Sequence, residues 1–84
     1  MQPNKNIDEI EAVIVEHIVK STGLAVSEID RTRRFDHYGL DSMDAVSMIG
    51  DLEDLVGRPL SAALPYHYPT VDALARRLHD GASE

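Results

Sequence analysis

The sequence predicts an all-α protein, a four-helix bundle of three main helices and one short helix, as a single domain over residues 1–84. Three observations carry this. Apolar residues recur at a 3.6-residue period in three separate segments, the mark of helices that bury one face. Glycine and proline stand at the ends of those segments rather than inside them, apart from Gly50. Aromatic residues make up 5% of the chain and Trp is absent, which suits a small helical core better than a β-sandwich. A chain of 84 residues leaves too little interior for a large buried cleft.

Residues 1–6 read as a loose lead-in, and the tail from Gly81 to residue 84 reads as frayed and flexible. From Ile7 to about Ser21, Ile7, Ile10, Val13, Ile14 and Ile18 share one helical face. Asn6 or Asp8 can cap its start, and Gly23 can close it. His17 falls on the apolar side, where a boundary histidine packing its ring is a commoner role than a ligand. Residues 24–40 form a long connection anchored by Leu24, Val26, Ile29, Phe35 and Leu40, so it is expected to be pinned across the bundle. Within it, residues 27–30 can form one short turn.

The second main helix is predicted from about Ser42 to Val56, stopped by Gly57 with Pro59 beyond. Ala45, Met48, Ile49, Leu52, Leu55 and Val56 form its buried stripe. Residues 60–69, LSAALPYHYP, support one short helical turn at most. Thr70 then caps a last helix with Val71, Leu74, Ala75 and Leu78 on one face. Arg76, Arg77 and His79 sit at its end, where the helix dipole favours cations.

Lys plus Arg number 8 against 15 Asp plus Glu, a formal charge of −7. That excess argues against nucleic acid and anionic membranes, which need phosphate-neutralising cations, and favours partners with a basic patch. No apolar run approaches a membrane span, and the polar, then acidic start MQPNKNIDEIEAV lacks a signal-peptide pattern. Zero cysteines exclude disulfides, thiolate catalysis and Cys-ligated zinc, and fit a reducing cytoplasm. The acids between Asp36 and Val56 match no calcium-binding loop, and no metal site is expected.

Ser42 lies between Asp41 and Met43-Asp44 at the start of the second helix. Three readings of it stand. It can be helix-start chemistry, because Asp and Ser both satisfy free backbone N–H groups. A hydrolytic nucleophile would need a base and a strand-to-helix elbow of the G-x-S-x-G kind; the elbow is missing, and nothing in the sequence orients His37, the nearest histidine upstream. Modification by a phosphodiester is the third, since a helix start presents N–H groups and positive potential to an attached phosphate.

The run Gly39-Leu40-Asp41-Ser42-Met43-Asp44-Ala45-Val46 resembles the G-x-D-S-[LM]-x-x-V core of the acyl carrier protein family. A second block, Gly57, Leu60, Leu64 and Tyr68-Pro69-Thr70-Val71, follows at that family's usual spacing, and the similarity runs from about Phe35 to Leu78. The resemblance implies an acyl-carrier-like bundle in which Ser42 carries 4′-phosphopantetheine, donated by coenzyme A through a phosphopantetheinyl transferase. The arm's thiol would hold acyl intermediates as thioesters, and the chain itself would catalyse nothing. Asp41, Met43, Asp44, Val46, Glu53 and Asp54 match the family's partner-recognition surface.

The partners so implied are an acyl-loading enzyme (an acyltransferase or fatty-acyl-AMP ligase) and a ketosynthase or other acyl-processing enzymes, met by a monomeric carrier. Residues 50–61 are similar to carriers that work with fatty-acyl-AMP ligases and polyketide-type synthases. Gly50 stands where many fatty-acid carriers have a bulky apolar residue, and Ser47 replaces a common acid. Pro65 falls in the region of the family's short third helix, and Tyr66-His67-Tyr68 replaces a Phe-Asp-x pattern, its rings read as core and rim packing. Two other readings remain: a peptidyl carrier loaded with an aminoacyl group, and an unmodified helical interaction domain.

Overall fold

The computed structural model describes residues 6–80. The lead-in and tail expected at the two ends lie outside these residues, except for Asn6, which is an ordered cap. Glu9 N–H donates to Asn6 Oδ1 at 2.9 Å and starts α1, Ile7–Thr22. Gly23, at φ 77°, closes α1 by donating to the Val19 carbonyl, a left-handed conformation that costs glycine nothing. The other helices are α2 (Ser42–Val56), α3 (Leu64–His67) and α4 (Val71–His79). Pro65 does not break α3. It lies in the first turn, where a missing N–H has no intrahelical partner to lose.

The core is made by α1 lying against both α2 and α4. Ile10, Ile14 and Ile18 of α1 meet Met48, Ile49 and Leu52 of α2 and Val71, Leu74, Ala75 and Leu78 of α4 in one buried cluster. Val15 is buried as well, because a helix with neighbours on two sides buries a wider arc than one apolar stripe. Leu55 and Val56, read as core, are half-buried at its edge.

The connection from α1 to α2 is pinned, as its anchors predict. Phe35 is buried, and Ile29, Tyr38 and Leu40 pack against the cluster. Phe35 N–H donates to the Pro69 carbonyl at 2.7 Å and Asp72 N–H to the Arg31 carbonyl at 3.0 Å, which fasten the loop to the start of α4. Tyr38 Oη accepts from Asp30 N–H at 2.7 Å and donates to the Asp30 carbonyl at 2.9 Å. The short turn falls at Val26–Glu28, and a second one, which the sequence pattern did not suggest, at Phe35–Tyr38. Val26 is a correction: it is 60% exposed and anchors nothing.

Candidate functional site

The geometry around Ser42 follows from how α2 begins. Gly39 turns the chain at φ 75°, and Asp41 takes an extended conformation as the N-cap. Asp44 N–H donates to Asp41 Oδ1 at 2.9 Å while Asp41 N–H donates to Asp44 Oδ2 at 3.2 Å, a reciprocal capping box. Asp41 therefore fills the capping role that the sequence left open between it and Ser42. Ser42 is the first residue inside the helix and is exposed.

Side chains of α1 hold this helix in place. Ser21 Oγ donates to Asp44 Oδ1 at 3.3 Å. Two turns further along α2, His17 Nδ1 lies 3.2 Å from Asp51 Oδ2, so this histidine packs its ring at the helix boundary and spans to α2. Both contacts join α1 to an acid of α2, which fixes the Ser42 end of the helix relative to the core.

Ser42 stands between two apolar surfaces. On the inner side a cavity of about 190 Å³ reaches from Ser42 to Met48 and Phe35 of the core, with Ala45, Pro65 and Tyr66 also on its wall. On the outer side Met43 is 79% exposed and Val46 57% exposed, with Ser47 beside them. Met43 and Val46 thus form a small exposed apolar surface within about one helical turn of Ser42.

The six residues matched to partner recognition fall into two groups. Asp41, Met43, Val46 and Asp54 are exposed along α2. Asp44 and Glu53 are half-buried and have structural ties: Asp44 in the capping box, and Glu53 through Oε2, which accepts from Leu60 N–H at 2.8 Å. His37 has Arg33 Nη1 at 3.5 Å from its Nε2 and Tyr38 edge-on against its ring. Tyr66 and His67 are exposed rather than core; Tyr68 is half-buried beneath the Arg77 guanidinium, 5.5 Å from its ring centre. No cluster of His, Cys, Asp and Glu able to hold a metal occurs among the described residues. The cavity residues Arg34, Phe35, Pro65 and Pro69 were not singled out for this site from sequence. Arg34 and Phe35 are brought against the segment before α4 by long-range backbone pairing, Phe35 N–H to the Pro69 carbonyl and the Arg34–Thr70 bridge, whose one sequence signal was the anchor Phe35 itself.

The described residues form a four-helix bundle with an exposed serine at the start of its second helix, an arrangement that carrier domains share. The family described as "Phosphopantetheine attachment site" matches residues 12–78, and the chain belongs to it. A free-standing peptidyl carrier protein from an uncharacterised Acinetobacter baumannii secondary metabolic pathway is 38% identical, with a TM-score of 0.84 over 93% of this chain and 98% of that one. An acyl carrier protein from Anabaena with a variant phosphopantetheinylation-site sequence is 30% identical, with a TM-score of 0.81 over 95% of this chain and 90% of that one. A phenolphthiocerol/phthiocerol polyketide synthase chain of Mycobacterium tuberculosis is 32% identical over 65 residues, 77% of this chain. The match spans 4% of the length of that synthase chain.

The chain is thus a carrier with a phosphopantetheine attachment domain, and its fold is that of acyl and peptidyl carriers. The residues present fit the group. Asp41 carries the capping hydrogen bond, Ser42 is exposed, and the adjoining cavity would give an arm attached there an apolar wall. When bound, 4′-phosphopantetheine supplies the thiol that this cysteine-free chain lacks. No helix among the described residues is long and apolar enough to cross a membrane.

Proposed function

We propose that the chain is an acyl carrier protein whose Ser42 hydroxyl bears 4′-phosphopantetheine, placed there from coenzyme A by a phosphopantetheinyl transferase. The observation that carries this reading is the exposed Ser42 at the first position of α2 with its capping duty taken by Asp41. The chain acts as a substrate of other enzymes and as a presenting surface. It is read as a single, monomeric carrier domain over residues 1–84. An acyltransferase or fatty-acyl-AMP ligase loads it, and a ketosynthase or another acyl-processing enzyme receives the cargo, in polyketide, lipid or related secondary metabolism. A thiol-bearing arm suits a reducing cytoplasm.

Partners are read to dock on α2, with Met43 and Val46 as the apolar contact and Asp41 and Asp54 as exposed charges; Asp44 and Glu53 add negative potential while tied to backbone. Electrostatic attraction of this kind speeds encounter and is screened by salt. Transfer rates to a partner fall as salt rises on this account, and a flat salt profile would argue against an acidic docking face.

The Acinetobacter structure supports a second reading, a peptidyl carrier. Acyl cargo is supported by the polyketide synthase relatives and by Asp41 before Ser42. Offering the phosphopantetheinylated protein to fatty-acyl-AMP ligases and to amino-acid-adenylating enzymes, with intact mass as readout, separates the two. Acylation by the ligase supports the acyl reading, and exclusive aminoacylation overturns it.

A further inference from the structure

We propose that Met43 is a redox-sensitive modification site, and that its oxidation to the sulfoxide by a peroxide hinders enzymes from reaching Ser42. This rests on the reading of Ser42 as the attachment site and of α2 as the docking face. The chain has three methionines and no cysteine. Of the two methionines in the described residues, Met48 is 1% exposed in the core and Met43 is 79% exposed. Met43 is therefore the accessible sulfur among the described residues, and it lies next to Ser42 in α2. A peroxide must reach a sulfur lone pair to react, so it meets Met43 and is kept from Met48.

The Met43 sulfur attacks one oxygen of hydrogen peroxide, and the S–O bond forms as the O–O bond breaks. The leaving hydroxide takes the proton from the new S–OH group and departs as water. Sulfur loses two electrons and the peroxide gains them. A methionine sulfoxide reductase reverses the change, with two thiols passing to a disulfide. The fold tolerates the new oxygen, because Met43 is outside the buried cluster. The surface does not. Met43 and Val46 are the apolar part of the outer face that also holds Ser42 and Ser47. An enzyme acting on the Ser42 hydroxyl covers the adjoining side chain, and a sulfoxide brings a polar oxygen into that contact, which is costly without a donor. No charge is added or removed, so the acidic face that draws partners in is unchanged.

The test treats the protein, with Ser42 unmodified, with hydrogen peroxide and then removes the peroxide. Intact mass counts the added oxygen and peptide mapping places it. A broad-specificity phosphopantetheinyl transferase then loads Ser42 from coenzyme A, and the rate is compared with that of untreated protein. Oxidation at Met43 is expected to slow loading about tenfold, and methionine sulfoxide reductase with dithiothreitol should restore the rate. Met43→Leu, which keeps the apolar bulk, should load at one rate before and after peroxide, although it still carries Met1 and Met48. Circular dichroism and thermal unfolding of the oxidised protein should match those of the untreated protein. Oxidation at Met48 ahead of Met43, equal loading of oxidised and untreated protein, the same slowing in Met43→Leu, or loss of helix on oxidation would overturn the proposal. Failure of the untreated protein to load would instead overturn the reading of Ser42 and this proposal with it.

Discussion

Helices α4 and α2 share one core but divide their residues differently. In α4, nine residues long, Val71, Leu74, Ala75 and Leu78 are all buried, and no large apolar side chain is left in solvent. In α2, fifteen residues long, only Met48, Ile49 and Leu52 are fully buried, while Met43 and Val46 stay in solvent beside Ser42. The difference teaches where to look for function. The large apolar residues of α4 all go to the core, whereas the exposed Met43 and Val46 of α2 are the ones proposed to meet a partner.

That comparison breaks first at Leu74, which is fully buried. Leu74→Ala is expected to cost about 2–5 kcal/mol in chemical denaturation, through lost burial and a cavity. Met43→Ala is expected to change stability by no more than about 0.5 kcal/mol while slowing acyl transfer to a partner enzyme. Equal stability losses at the two positions would erase the distinction between the helices. Asp41→Ala removes the side-chain half of the capping box and is expected to cost about 1 kcal/mol, with Asp41→Ser recovering most of it.

A smaller effect of opposite sign is expected at Gly50 on the exposed arc of α2. A Cβ added there meets nothing within 4 Å, so Gly50→Ala should stabilise the fold by about 0.5–1 kcal/mol. If it also slows partner transfer, the gap at Gly50 is a docking feature.

The smallest effect concerns pH and the loop. Hydrogen bonds from the Thr32 hydroxyl and backbone N–H hold the Asp30 carboxyl below its ordinary value of 3.8. Its folded pKa lies below the unfolded one, so its contribution is present above pH 3.8 and fades as pH falls through the folded value. The stability difference between wild type and Asp30→Asn should therefore shrink in acid, as thermal unfolding across that range would show.

Much of this architecture was legible because its determinants are local. The caps Asn6, Thr70, Gly23 and Gly57, and the apolar stripes between them, lie within a few residues of the helix ends they set. The start of α2 was legible too, but Asp41 and Ser42 are both good caps; the telling sign is Asp44, three residues after Asp41, where a capping box needs its second acid. Non-local features were hidden. Nothing near Glu53 announces that its carboxylate accepts from Leu60 N–H, and the turn at Phe35–Tyr38 depends on Pro69, far along the chain. Val26 looked like an anchor because its type is apolar, yet the loop turns it outward.

Incubation of the protein with coenzyme A and a broad-specificity phosphopantetheinyl transferase, followed by intact-mass measurement, tests the central claim most directly. Wild type should gain one phosphopantetheine arm and Ser42→Ala none. An unchanged wild-type mass, or an arm still gained by Ser42→Ala, would contradict the account.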